Sequence, residues 1–350
     1  MSETLQVGIV GLGRLGKRHA RNLALNVPGA ALVAAASPIA EERDWAAGAL
    51  PGVRTYDGLG PLLDHQRLDA VWLVTPTSLH ADQTIDVLKA GKHVFCEKPL
   101  ALTVEDCDRV IAVAKACPQQ LAMVGFMRRF DPAYAEAKRQ LADGRLGTLF
   151  HIGCVSQDPV DPDGFFVKFA PTSGGIFLDC CIHDIDLVRW MLDGTEAVDL
   201  TATGSHIMYP ALAECDDVDN GFATVTFAGG IVATFHVSRT SHHGYEATMN
   251  LVGTRASLLV GAGQTRRSLI ARQDGRTAID GQADFFARFN DAFLLEAHAF
   301  VEAVRSGGPS PLGLEDAREA TRLGCRLREA ARRTVNAVGC PAASAANHRS

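Results

Sequence analysis

The sequence predicts an α/β chain of two domains: a doubly wound parallel sheet over residues 1–126, and an α+β domain with a large, mostly antiparallel sheet over residues 127–335. Three observations predict it. A short apolar strand, Gln6 to Val10, runs into a glycine-spaced turn and then a helix. Helices and strands go on alternating to Gly125. Beyond Met127 the apolar residues fall into long segments of period two.

The first turn is Gly11-Leu12-Gly13-Arg14-Leu15-Gly16, with helical periodicity from Arg14 to Leu25. Two glycines allow a tight turn and close approach of backbone to a pyrophosphate, the third lets helix and strand pack closely, and the helix N-terminus attracts phosphate. A second strand follows at Ala31 to Ala36. Then come a helix over Glu41 to Leu50, strands at Val53 to Tyr56 and Ala70 to Val74, a helix over Ser78 to Ala90, a strand at Val94 to Cys96, a helix over Val104 to Ala116 and a strand at Leu121 to Gly125. This is the Rossmann pattern of a dinucleotide-binding domain, whose ligands sit at the carboxyl ends of the strands. At the second strand end stands Ser37, where NAD-selective folds place Asp or Glu. Serine can bond a ribose hydroxyl without repelling a 2'-phosphate, and Pro38 supplies no cation, although Arg14 and Arg43 stand nearby; NAD and NADP both stay open. The fourth strand ends in Thr75-Pro76-Thr77-Ser78-Leu79-His80 and the fifth in Glu97-Lys98-Pro99. The proline holds Lys98 extended, which aims an ammonium at the cofactor cleft.

The second domain opens with a helix over Pro132 to Ala142. Strands are predicted at Phe150 to Gln157, Val198 to His206, Phe222 to Phe227, Ile231 to Ser238, Ala247 to Val252 and Ser257 to Val260. Asp158 to Ser173, rich in Pro, Asp and Gly, is predicted to be a functional loop. A Gly174-Gly175 hinge then leads into one helix over Ile176 to Leu192, twelve of whose seventeen residues are apolar. Asp179, His183 and Asp186 share one of its faces at i, i+4 and i+7, opposite Leu178, Ile182, Ile185 and Leu192. Such a face suits either a cleft-lining site or a salt-bridged structural helix. Amphipathic helices over Phe285 to Ser306 and Leu314 to Arg333 follow, and the Ala-, Ser- and Asn-rich tail from Asn336 to Ser350 is expected to be disordered.

Composition narrows the function classes. The 350 residues are 47% hydrophobic, enough for two cores, without an apolar run near the ~20 residues that span a bilayer. Met1 to Gln6 lacks the basic and apolar regions of a secretory signal, so the cytoplasm is expected. The nine cysteines show neither CxxC nor paired Cys/His spacing, so no metal and no disulfide framework is expected. A net charge of −6 without a basic block disfavours nucleic acid and anionic membrane and favours a small-molecule partner.

Taken in order, Gly11 to Gly16, Thr75-Pro76 with His80, Glu97-Lys98-Pro99, and Gly174-Gly175 with Asp179 and His183 resemble the Gfo/Idh/MocA family of NAD(P)-dependent sugar and cyclitol oxidoreductases over nearly the whole chain. Gly125-Phe126-Met127-Arg128-Arg129-Phe130-Asp131 and Ile182-His183-Asp184-Ile185-Asp186 look most like its inositol 2-dehydrogenase branch. The resemblance implies NAD, or NADP, held by Gly11, Gly13, Arg14, Leu15, Ser37, Thr75, Pro76, His80, Glu97 and Lys98. It implies a catalytic set of Lys98, Asp179 and His183, and a polyol or sugar held also by Arg128, Asp158 and His243. It implies an open-faced second sheet that pairs with a neighbouring subunit in a dimer or tetramer. Ser37 departs from the family's usual acid, and His243 from what looks like a tyrosine of inositol dehydrogenases, which broadens the expected substrates to other cyclitols and pyranoses. Within that chemistry His183 is the expected base, because imidazole titrates near neutrality. Lys98 is expected to stabilise charge on the reacting oxygen and Asp179 to orient the lysine or histidine. Two other activities share the fold: an NAD-dependent glycosidase and a non-catalytic dinucleotide or sugar sensor.

Overall fold

The computed structural model describes residues 4–261, 270–273, 276–279 and 283–338. They form two compact units, one of the described residues within 1–131 and 291–322 and the other of those within 132–290 and 323–338.

The first unit is built on β1 (Leu5–Val10), α1 (Arg14–Leu25), β2 (Ala30–Ala36), α2 (Ala40–Ala49), β3 (Arg54–Tyr56), α3 (Leu59–Leu63), β4 (Ala70–Leu73), α4 (His80–Lys89), β5 (His93–Glu97), α5 (Val104–Ala116) and β6 (Ala122–Gly125). All six strands pair in parallel in the order β3-β2-β1-β4-β5-β6. The reversal of order between β1 and β4 is the switch point where such sheets bind ligands. Val7, Ile9, Val71, Trp72, Val94 and Phe95 are all fully buried, as continuous apolar strands covered on both faces must be. Trp72 stacks on Phe95 with ring centroids 4.6 Å apart, and Phe300 meets Trp72 edge-on at 4.7 Å. Phe300 lies in the part of α10 (Phe285–Ser306) that groups with this unit from Asp291 onward.

The second unit comprises α6 (Pro132–Ala142), β7 (Leu149–Pro159), α7 (Phe165–Ser173), α8 (Ile176–Asp179), α9 (Ile182–Met191), β8 (Ala197–Ser205), β9 (Asn220–Phe227), β10 (Val232–Ser241), β11 (Glu246–Gly253) and β12 (Ser257–Val260), with a hairpin of β13 (Ile270–Gln273) and β14 (Arg276–Ile279). The large sheet runs β12-β11-β7-β10-β9-β8 and is antiparallel except for the parallel pair β7 and β10. Alternation sorts its faces: Ala223, Val225 and Phe227 are buried, while Phe222 is 45% exposed. The last helix, α11 (Leu314–Val338), adds its residues from Leu323 onward to this unit.

Three expectations are corrected. The predicted loop of Asp158 to Ser173 contains α7, whose start is held by Asp161 Oδ2 accepting from Phe166 N–H at 2.9 Å and whose Phe165 and Phe169 rings stack at 5.4 Å; Pro171 and the flanking glycines masked its periodicity. The single helix predicted over Ile176 to Leu192 is two. The carbonyl of Ile176 accepts from both Cys180 and Cys181, and Asp184 N–H reaches back only to Cys181, so the i to i+4 ladder breaks between α8 and α9. The final helix runs to Val338, five residues past the predicted Arg333, so residues 336–338 of the predicted disordered tail are helical; the remainder of that tail lies outside the described residues.

Candidate active site

At the first strand end, Gly11 has φ +94°, and a Cβ on it would collide with the carbonyl of Val74; a Cβ on Gly16 would collide with the carbonyl of Gly11. These glycines are required by packing of the turn on β4 and on itself. Gly13 and Arg14 are exposed at the start of α1, with Leu15 half-buried. Gly13 caps that helix without a side-chain hydrogen bond, and the first turn holds no acid, so its N–H groups suit a bound anion. A cofactor pyrophosphate fits here.

The ends of β4 and β5 are tied together by His80, which is 1% exposed. Its Nδ1 meets the carbonyl of Pro99 at 2.7 Å and its Nε2 the carbonyl of Thr75 at 2.8 Å. Carbonyls accept and never donate, so both ring nitrogens carry protons and His80 is an imidazolium. Burial alone would lower its pKa, but Cys96 and the two carbonyls outweigh that and raise it to about 9. Thr75 and Pro76 are thus held from the carbonyl side, and Thr75 Oγ1 donates to Gln83 Oε1 at 2.6 Å.

Lys98 follows directly, half-buried, with its peptide to Pro99 cis. Its backbone N–H donates to Glu97 Oε2 at 3.1 Å, while Glu97 Oε1 accepts from His19 Nε2 at 2.8 Å. Glu97 pairs in register with Gly125, where a Cβ would lie 3.2 Å from the Glu97 carboxyl. His19 in turn meets Phe293 edge-on at 5.5 Å. One helical turn beyond Phe293 is Glu296, fully buried, whose carboxyl burial and the charge of Glu97 push well above the usual carboxylate range.

In the second unit, Gly174 and Gly175 take φ of +81° and +82° at the start of α8. Asp158, at the end of β7, and Asp179 are bridged by the thiol of Cys180, which donates toward Asp158 Oδ2 at 3.3 Å and Asp179 Oδ2 at 3.6 Å. Asp179 also faces Arg239 Nη2 at 3.5 Å. Arg239 has no exposed surface and donates through Nη1 to Asp217 Oδ2 at 2.7 Å; Asp217 Oδ1 accepts from Ile176 N–H, the first of α8, at 2.8 Å. The order Asp217, Arg239, Asp179, Cys180, Asp158 is one polar chain beneath the start of α8. His183 is 7% exposed and Asp186 1%, so burial deepens along the predicted polar face, while Leu178, Ile182 and Ile185 on the other side are fully buried. A structural helix and a site are therefore not exclusive: Asp186 is core, and Asp179 keeps 19% of its side chain open.

Arg128, in the short 3-10 turn Met127–Phe130 after β6, is 3% exposed. His243 is 62% exposed and bonds Ser241 and Glu246 Oε2, the latter at 3.0 Å. The sequence patterns missed His19, Glu296, Cys180, Asp217 and Arg239. Arg239 carried a signal, a charge at a buried position of an alternating strand, which demands a buried acid; no spacing pointed to His19 or Glu296. Among the described residues, no group of three or more His, Cys, Asp or Glu is placed to hold a metal, and no helix is long and apolar enough to cross a membrane.

Comparison with known proteins bears on this geometry. Residues 5–126 match the family model described as the oxidoreductase family with an NAD-binding Rossmann fold, and residues 134–259 match the GFO/IDH/MocA C-terminal domain. The chain is 36% identical to the scyllo-inositol 2-dehydrogenase (NAD(+)) of Bacillus subtilis (strain 168), over 88% of each chain. It is 35% identical to the inositol 2-dehydrogenase of Rhizobium meliloti (strain 1021), over 87% of this chain and 90% of that one. The crystal structure of scyllo-inositol dehydrogenase from Lactobacillus casei, with bound NAD(H) and scyllo-inositol, superposes with a TM-score of 0.89 at 34% identity, covering 95% of this chain and 98% of that one.

Proposed function

The chain belongs to the Gfo/Idh/MocA family of oxidoreductases, and from that premise we propose that it oxidises a secondary alcohol of an inositol isomer, with NAD as the hydride acceptor. The observation that carries this is the placement of Asp179 and His183 on α8 and α9, Asp179 with 19% of its side chain open and His183 7% exposed in an otherwise buried helical segment, in a chain akin to NAD-dependent inositol dehydrogenases.

The nicotinamide, when bound, takes the hydride from the carbon being oxidised. His183 accepts the hydroxyl proton, which requires its neutral form. Lys98 donates to the same oxygen and stabilises the charge it develops; the bond from its N–H to Glu97 fixes the strand end that carries it. Asp179 offsets positive charge on Lys98 or His183, and Arg239 and Cys180 orient it. Asp158 and Arg128 hold further hydroxyls, and exposed His243 lies at the rim. Residues 1–126 serve the dinucleotide, and residues 127–335 serve the polyol and subunit pairing. The exposed face of the large sheet, with Phe222 stacked on His236 at 4.5 Å, supports assembly as a dimer or tetramer. The compartment we assign is the cytoplasm, where the free cysteines stay thiols.

The test is reduced-nicotinamide absorbance with myo-, scyllo- and other inositols and with glucose, on the wild type, Lys98→Met and His183→Ala. Net NAD reduction with an inositol is expected, falling at least ~100-fold in Lys98→Met. In His183→Ala the neutral-range rise of the pH-rate profile should vanish. Sugar release from a glycoside without net reduction would mark a glycosidase instead, and full activity in both variants would remove these residues from the chemistry.

A further inference from the structure

Ser37 stands where the ribose-reading acid of an NAD-selective fold is usual, and it is 1% exposed. Its hydroxyl donates to Glu42 Oε2 at 2.5 Å and accepts from the N–H of Ile39 at 3.1 Å. Glu42 lies in the first turn of α2, half-buried. Its other oxygen points to the glycine turn: an ideal Cβ on Gly13 would meet Glu42 Oε1 at 3.9 Å and no other atom within 4 Å. Ser37 therefore holds one oxygen of this carboxylate, while the other borders the open space above Gly13, where α1 begins.

In a Rossmann fold the pyrophosphate lies on that helix start, and the adenosine ribose lies between it and the end of the second strand. A ribose diol donates hydroxyl protons, which a carboxylate oxygen accepts with a charge-assisted bond. A 2'-phosphate brings about two negative charges and only acceptors at neutral pH. Of the two cations nearby in sequence, Arg43 donates through Nη1 to the carbonyl of Ser37 at 2.7 Å, and Arg14 is exposed in the first turn of α1.

We infer that Glu42, oriented by Ser37, is the residue that reads the adenosine ribose and makes the chain select NAD over its 2'-phosphorylated form. The carboxylate missing from the strand end is supplied from one helical turn further on, and Ser37 is its positioning residue. The inference rests on the dinucleotide-binding reading proposed above.

Isothermal titration calorimetry of the apo chain with NAD and with NADP, without polyol, tests it. The wild type should bind NAD at least ~10-fold more tightly than NADP. Glu42→Gln keeps the shape and a bond to Ser37 but loses the charge, so NAD should weaken by ~10-fold, the usual scale of one hydrogen bond to a charged group, and NADP should tighten. Glu42→Lys should invert the preference. Ser37→Ala should lower it by a smaller step, because the carboxylate remains but is no longer held. Circular dichroism and the apo melting temperature report whether each variant folds, independently of binding. A wild type that binds neither dinucleotide overturns the function reading itself. An intact NAD binder whose preference survives in folded Glu42→Gln and Glu42→Lys overturns the role of Glu42 alone.

Discussion

At the end of β5 the buried charges sit on groups that titrate, whereas beneath α8 they are neutralised by a group that does not. Around Lys98, His80 is an imidazolium between two carbonyls, Glu97 is bonded to His19, and burial with the charge of Glu97 pushes the Glu296 carboxyl well above the usual carboxylate range. Around Asp179, the fully buried Arg239 holds a permanent charge against Asp217 and Asp179. The difference teaches that one chain can fix two polar sites with different sensitivities, one that loosens as pH rises through neutrality and one that is insensitive there but fails if a single side chain is removed.

The largest effect should come from breaking the permanent pair. Arg239→Met leaves Asp217 buried without its partner, which costs about 3–5 kcal/mol; urea unfolding of the variant against wild type measures it. Asp217→Asn should be milder, since its amide oxygen can still accept from Ile176 N–H. Both variants keep the Ile176 N–H bond, so wild-type stability in Arg239→Met would mean that this helix-start bond, not the ion pair, is what matters.

The titrating side is tested by pH. His80 has its folded pKa raised, so its stabilisation is complete below the ordinary value of 6.5 and is lost as pH rises to about 9. At about 1.4 kcal/mol per pH unit this is roughly 3 kcal/mol between those limits. Comparing unfolding free energies of wild type and His80→Gln at pH 6.5 and 9 isolates the contribution. The wild type should lose stability over this window and the variant much less, while the Arg239 pair should show no such slope. A smaller effect calibrates both. Thr103 Oγ1 accepts from Asp106 N–H at 3.1 Å at the exposed start of α5, so Thr103→Ala should cost about 1 kcal/mol. Its melting temperature should fall slightly, with unchanged pH dependence between pH 6.5 and 9, because the Asp106 carboxyl that Thr103 also bonds is held below the usual carboxylate range.

Most of the framework was legible along the chain. Strand and helix positions in the first unit follow from apolar runs and the glycine turn, and Pro132 to Ala142 and Ser257 to Val260 were predicted with the bounds observed. The elements that were missed are those whose local pattern is interrupted or short: α7 with its Pro171, the break at Cys180 and Cys181, and the five-residue α3.

By itself the sequence determined the doubly wound sheet, the strand ends at Ser37, Thr75 and Lys98, and the helical spacing of Asp179 and His183, because each depends on residues within a few positions of one another and on backbone rules that act locally. Only the tertiary structure decided that Ser37 bonds Glu42, that His80 lies between two carbonyls, and that Asp179 faces Arg239 from sixty residues downstream. The physical reason is that a buried charge is set by whatever partner the fold brings within hydrogen-bond reach, and that partner leaves no period or spacing in the chain.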